Sequence, residues 1–207
     1  MFPLGTVLFP GGNLPLRVFE VRYLDMIGKC HKVGAPFGVV SLTSGAEVQK
    51  LAANDSGAFA AESFHSVGTL ATITELANPQ PGLLVVRCVG IQRFRIERHE
   101  RLNHGLWVAD VTRIDDDQAT PIPGDLQRVA DTLDKVIVSL KSRGMPESQL
   151  PFHPPHHLDD CAWVANRWCE LLPMPPAQKQ QMMALENPLV RLELVSDVLL
   201  KAGIIAD

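Results

Sequence analysis

Hydrophobic and polar positions change rhythm partway along the chain. The opening reads Phe2-Pro3-Leu4-Gly5-Thr6-Val7-Leu8-Phe9, then Pro10-Gly11-Gly12-Asn13, then Leu14-Pro15-Leu16-Arg17-Val18. Proline presets one backbone angle and glycine admits positive φ, so two short apolar runs around this turn predict strand, turn, strand. Phe19, Tyr23, Met26, Ile27 and Cys30 then recur at intervals of three and four, which predicts a helix over residues 18–32. Further strand-like runs fall at 37–42, 69–77, 83–91, 93–96 and 107–114. Several short strands separated by turn signals suggest a compact barrel or curled sheet.

Beyond the acidic, proline-containing stretch Asp115 to Gly124 the period lengthens. Leu126, Val129, Ala130, Leu133, Val136, Ile137 and Leu140 mark one helix face, with Asp125 placed to cap its start and Gly144 to follow its end. A second apolar face, from Cys161 to Leu172, follows Asp159 and Asp160 and stops at Pro173, Pro175 and Pro176. Residues 177–185 predict a short third helix. Asn187-Pro188 fits an N-cap followed by proline at the first helical position, and the last helix runs to about Ala202 before Gly203. The expected organisation is a β-rich part over 1–117, a linker over 118–124 and a helical part over 125–207.

Composition narrows the class. The 207 residues are 46% hydrophobic and 20% charged, as in globular proteins. A net charge of −4 supplies no global attraction to nucleic acid or to an anionic membrane. No apolar run approaches the ~20 residues that span a bilayer. The start lacks the basic and long apolar segments of a signal peptide, so the expected location is cytoplasmic. Cys30, Cys88, Cys161 and Cys169 show no CxxC pairing and read as reduced thiols.

Candidate chemistry is sparse. There is no G-x-x-x-x-G-K-[ST] phosphate loop and no G-x-S-x-G elbow, and no cofactor is expected. A small hydrolase assembled from distant residues has no recognisable nucleophile and base here. The cluster from Phe152 to Cys161 holds His153, His156, His157, Asp159 and Asp160. Its spacing matches no familiar zinc or nickel site, and its prolines stiffen the chain, so it reads as a loop ahead of a helix with no metal. Arg93, Arg95, Arg98 and Arg101, with His99, form a basic run that a nucleic-acid reader would need. Glu97 and Glu100 dilute it. Strand alternation places Arg93, Arg95 and Glu97 on a solvated face and Phe94 and Ile96 on a buried one. The region 44–66 is rich in Ala, Gly and Ser and carries Phe59 and Phe64. These rings are either anchors for a bound polypeptide or the buried side of a hairpin. The loop from Met145 to Phe152 is the second candidate surface, through those two residues. Trp163, Trp168, Met182 and Met183 read as core.

Three segments carry a family resemblance. The opening fits L-x-x-V-L-F-P-x-x-x-L-P-L-x-V-F-E-x-R-Y through Tyr23. Val67-Gly68-Thr69-Leu70-Ala71-Thr72-Ile73 leads through a Pro-Gly loop to Gly90-Ile91-Gln92-Arg93-Phe94-Arg95-Ile96. Leu185-Glu186-Asn187-Pro188-Leu189-Val190-Arg191-Leu192 closes the set. In this order they resemble the N-terminal, substrate-binding domain of Lon-type ATP-dependent proteases, in its stand-alone bacterial form. The resemblance implies an α+β fold: a PUA-like β-barrel of the Lon N-domain type, then a C-terminal helical bundle. It implies a non-enzymatic recognition module for unfolded or partly folded polypeptide, acting as adaptor for a protease or chaperone, with no membrane or nucleic-acid partner. The competing reading is a nucleic-acid-binding PUA-like module using the arginine run.

Overall fold

A computed structural model of the chain describes residues 1–45, 61–144, 151–152 and 154–206. Phe59, Met145 and His153 lie outside the described residues. The chain divides into two compact units, Met1–Asp115 with Pro176–Gln180, and Asp116–Pro175 with Gln181–Asp207.

In the first unit the described residues form β1 (Phe2–Leu4), β2 (Asn13–Val18), α1 (Val21–Val33), β3 (Phe37–Ser44), β4 (Ser63–Phe64), β5 (Val67–Gln80), β6 (Leu83–Arg101) and β7 (Trp107–Arg113). The sheet runs β1-β3-β5-β6-β2, with β4 on β3 and β7 on β6. β1 is parallel to β3, and the other pairs are antiparallel. The two opening strands therefore do not pair with each other. They lie at opposite ends of an open path, and no pairing among the described residues joins them into a closed barrel.

The glycines of the family-like motifs have steric reasons. Gly90 sits midway along β6, where its N–H donates to the Gly12 carbonyl at 2.9 Å and its carbonyl accepts from Gly11 at 2.8 Å. A Cβ at Gly90 would overlap the Phe9 carbonyl, so the Pro10–Gly12 turn docks directly on strand backbone. Thr69 fixes the same segment through a buried 2.6 Å bond from its hydroxyl to the Leu8 carbonyl. The core gathers Leu14, Leu16, Val18, Ile27, Val39 and Val86 among others, and Phe2 stacks on Tyr23 with ring centroids 4.0 Å apart. Cys88 lies in this core, and burial pushes its thiol up to about 12, which keeps it unreactive.

The second unit contains α2 (Gln127–Ser142), α3 (Cys161–Leu171), the end of α4 (Pro176–Ala184) and α5 (Pro188–Lys201). Asp160 caps α3 by accepting from the Trp163 N–H at 2.8 Å, and Asn187 caps α5 through Leu189 and Val190. The cap expected of Asp125 is absent: Leu126 occupies that position and no side chain caps α2. Trp168 is core, with its Nε1 donating to the Val129 carbonyl at 3.0 Å. Residues 118–124, which read as a linker in the sequence, carry ordered contacts. Thr120 donates its N–H to Asp160 at 3.0 Å and accepts from the Cys161 N–H at 2.9 Å.

The Arg191 of the third motif is 1% exposed and holds this unit together. Its guanidinium reaches both carboxylate oxygens of Asp117, at 2.7 and 3.2 Å, and the Asn166 Oδ1 at 3.0 Å. It also donates to the Met182 carbonyl at 3.0 Å and to the Leu185 carbonyl. A planar fork of five donors suits that set of acceptors as no other side chain does.

Candidate functional site

The ends of the open path frame a cleft of about 250 Å³ in the first unit. Its buried lining is Phe2 and Leu4 of β1, Leu16 and Val18 of β2, and Tyr23 of α1. Pro15, Arg17 and Phe19 are exposed at the same cleft, beside the partly buried Glu20. Alternation along β2 explains the division, since Leu14, Leu16 and Val18 face the core and Pro15 and Arg17 face solvent.

Phe19 is the exposed ring of this region, at 54%, with Val21 beside it at 74%. Apolar spacing in the sequence puts Phe19 on the inner face of α1. The helix instead begins at Val21 with Glu20 as its N-cap, so Phe19 precedes it and is released from that face. The signal is present in the Val-Phe-Glu step from strand to helix, but apolar periodicity runs straight through it.

The polar surroundings are organised by Arg22. This buried guanidinium donates to Glu20 at 3.2 Å and to the Gly105 carbonyl at 2.7 Å, lies 3.8 Å from Glu62, and sits over the Tyr23 ring at 4.4 Å. Glu20 is thereby engaged, whereas Arg17 makes no ion pair with any described residue. Burial raises the Tyr23 hydroxyl well above the usual phenol range, so Tyr23 itself adds no charge to the cleft.

Those of the residues singled out from sequence that the structure describes lie elsewhere. Phe64 is half-buried on the β6–β7 hairpin, 5.2 Å from the His99 ring and 5.3 Å from Trp107. Trp107 donates its Nε1 to Glu62 at 2.7 Å, and Arg101 lies over its ring at 5.5 Å. Phe152 is 1% exposed and packs on His156 and Trp163, so it is a core ring of the second unit and not a surface anchor. Apolar collapse on Trp163 explains the difference.

The arginine run is also divided. Arg93 is 3% exposed, contrary to the solvated face expected of it, while Arg95 and Arg98 are exposed. Its register explains this: Thr69 pairs with Arg93 but Ala71 pairs with Gly90, so one extra residue on β6 breaks the alternation and both Arg93 and Phe94 turn inward. Arg101 is committed to Glu62, 3.9 Å away, and to Trp107. A hollow of about 400 Å³ beside this hairpin is lined by Arg98, Glu100 and Asp110 as well as His99, Val108 and Ala109, so its charges are mixed.

An α+β chain of this layout is similar to solved Lon N-terminal domains. One is the crystal structure of a Lon N-terminal domain protein from Xanthomonas campestris, 28% identical, with a TM-score of 0.72 and 95% of each chain covered. Another is the N-terminal domain of the Mycobacterium avium complex Lon protease, at 16% identity and TM-score 0.52, covering 94% of this chain and 92% of that one; this second likeness is one of fold. The model of the ATP-dependent protease La (LON) substrate-binding domain matches residues 1–201, and the chain belongs to that family. No curated protein matches it. No ATPase or peptidase module lies within these 207 residues. Among the described residues no helix is long and apolar enough to cross a membrane.

Proposed function

We propose that this domain recognises unfolded or partly folded polypeptide without acting on it chemically, and presents it to a protease or chaperone. The observation that carries the reading is the cleft between β1 and β2. It combines a buried apolar floor, an exposed Phe19 and two strand edges that lack neighbours among the described residues. Apolar segments and unsatisfied main chain are what distinguish a non-native polypeptide from a folded one. Membership of the substrate-binding family supports the same direction. Arg93 and Arg101 are taken up within the fold, which leaves the nucleic-acid reading without a continuous basic face.

Phe19→Asp tests the reading. The side chain is already mostly in water, so the melting temperature should move little. Affinity for a permanently unfolded model protein should fall roughly tenfold, an effect of ~1.4 kcal/mol. Binding by the parent domain should change little between low and moderate salt, since the contacts are apolar. A steep salt dependence, or full affinity in Phe19→Asp, would count against the cleft.

A further inference from the structure

We infer that the cleft takes its polypeptide as an added β-strand, antiparallel to β2 and parallel to β1, with an acidic residue set against Arg17. This rests on the reading that the cleft binds polypeptide, and it supplies the conformation, direction and charge of the bound segment.

The direction follows from topology. β1 runs with β3, β3 against β5, β5 against β6, and β6 against β2. β1 and β2 therefore run in opposite senses. A guest strand antiparallel to β2 is at once parallel to β1, so one orientation suits both ends of the path. β2 offers six residues and β1 only three, which makes β2 the main template.

Pro15 indicates which groups of β2 meet the guest. In an antiparallel pair every second residue points both its N–H and its C=O away from the partner strand. Proline has no N–H to lend and is tolerated in a sheet where that side faces away. Pro15 lies opposite Arg87 of β6, so the positions facing outward are Pro15 and its alternate neighbour Arg17. Arg17 contributes both a donor and an acceptor to a guest, and Pro15 an acceptor. The missing donor keeps this edge from pairing indiscriminately with copies of itself. Specificity then comes from apolar side chains that reach the floor of Leu16, Val18 and Phe2, and from charge. Glu20 is held by Arg22, so Arg17 is the cleft's uncommitted charge among the described residues, and it favours a carboxylate on the incoming segment.

The experiment uses the full chain and a peptide of alternating Val and Thr that spans β2, with Asp at its N-terminal end opposite Arg17 and fluorescein at its C-terminus. Each residue is N-methylated in turn, and affinity is read by anisotropy. N-methylation should weaken binding roughly tenfold at every second position and less than about twofold at those between. Replacing the terminal Asp by Lys should weaken binding several-fold, and Arg17→Glu should invert that preference. Uniform tolerance of N-methylation, with the parent peptide still bound, would overturn strand addition while leaving polypeptide recognition standing. An Asp-to-Lys effect that persists unchanged in Arg17→Glu would overturn the role given to Arg17. Failure of the full chain to bind the parent peptide or any unfolded protein would overturn the recognition reading, and strand addition with it.

Discussion

Arg191→Met is expected to destabilise the helical unit by about 3–5 kcal/mol, the usual cost of leaving one member of a buried ion pair without its partner. For a chain of this size that is a fall of roughly 6–20 °C in melting temperature, measurable by circular dichroism. Methionine fills much of the same volume, so the effect is electrostatic and not a cavity. It arises because Asp117, Asn166 and the carbonyls of Met182 and Leu185 all lose the donor that Arg191 supplies. Arg191→Lys should rescue little, since one ammonium group cannot reach acceptors spread around a planar fork. The double variant Asp117→Asn/Arg191→Met should recover part of the loss, because the carboxylate that lost its guanidinium is gone. Equal stability of Arg191→Met and the parent would remove this network from the account of the fold.

Gly68→Ala should be nearly as damaging, by about 3 kcal/mol. Gly68 opposes Phe94 across β5 and β6, and Phe94 is fully buried. A Cβ there would lie 2.7 Å from the Phe94 ring and 2.8 Å from a Val40 methyl group, and would overlap the Val39 carbonyl. Strand backbone on one side and a locked ring on the other leave no direction for relief. Thermal melts of Gly68→Ala and of the double variant Gly68→Ala/Phe94→Leu separate the two contributions. The double variant should regain stability relative to Gly68→Ala if the ring is a principal obstacle, and should lose more if it is not.

These two positions show how far the amino-acid sequence reaches. Both stand in motifs recognisable from the sequence alone, yet their reasons are tertiary. Gly68 is defined by Phe94 on another strand, and Arg191 by Asp117 at 74 residues' separation. Local chemistry reads well: Asp160 and Asn187 cap the helices they precede, and Pro188 opens α5. Asp125 does not cap, because the chain enters α2 through Leu126. Apolar periodicity locates α1 but not its first turn, since Phe19 continues the period while lying outside the helix. The arginine run departs from its expected face for a related reason: a register shift in β6 defeats a strict two-residue alternation. The candidate cleft is the least legible feature. Its residues apart from Phe2 are all visible in the opening motif, but the cleft exists only because β1 pairs with β3 and β2 with β6, and those pairings are non-local.

Amide hydrogen exchange of the full chain, with and without a saturating permanently unfolded polypeptide, tests the central claim most directly. Slowed exchange is expected in β2 at Arg17, with little change in α5. Protection confined to the β6–β7 hairpin around His99 and Trp107, or to the helical unit, with β2 unaltered, would contradict it.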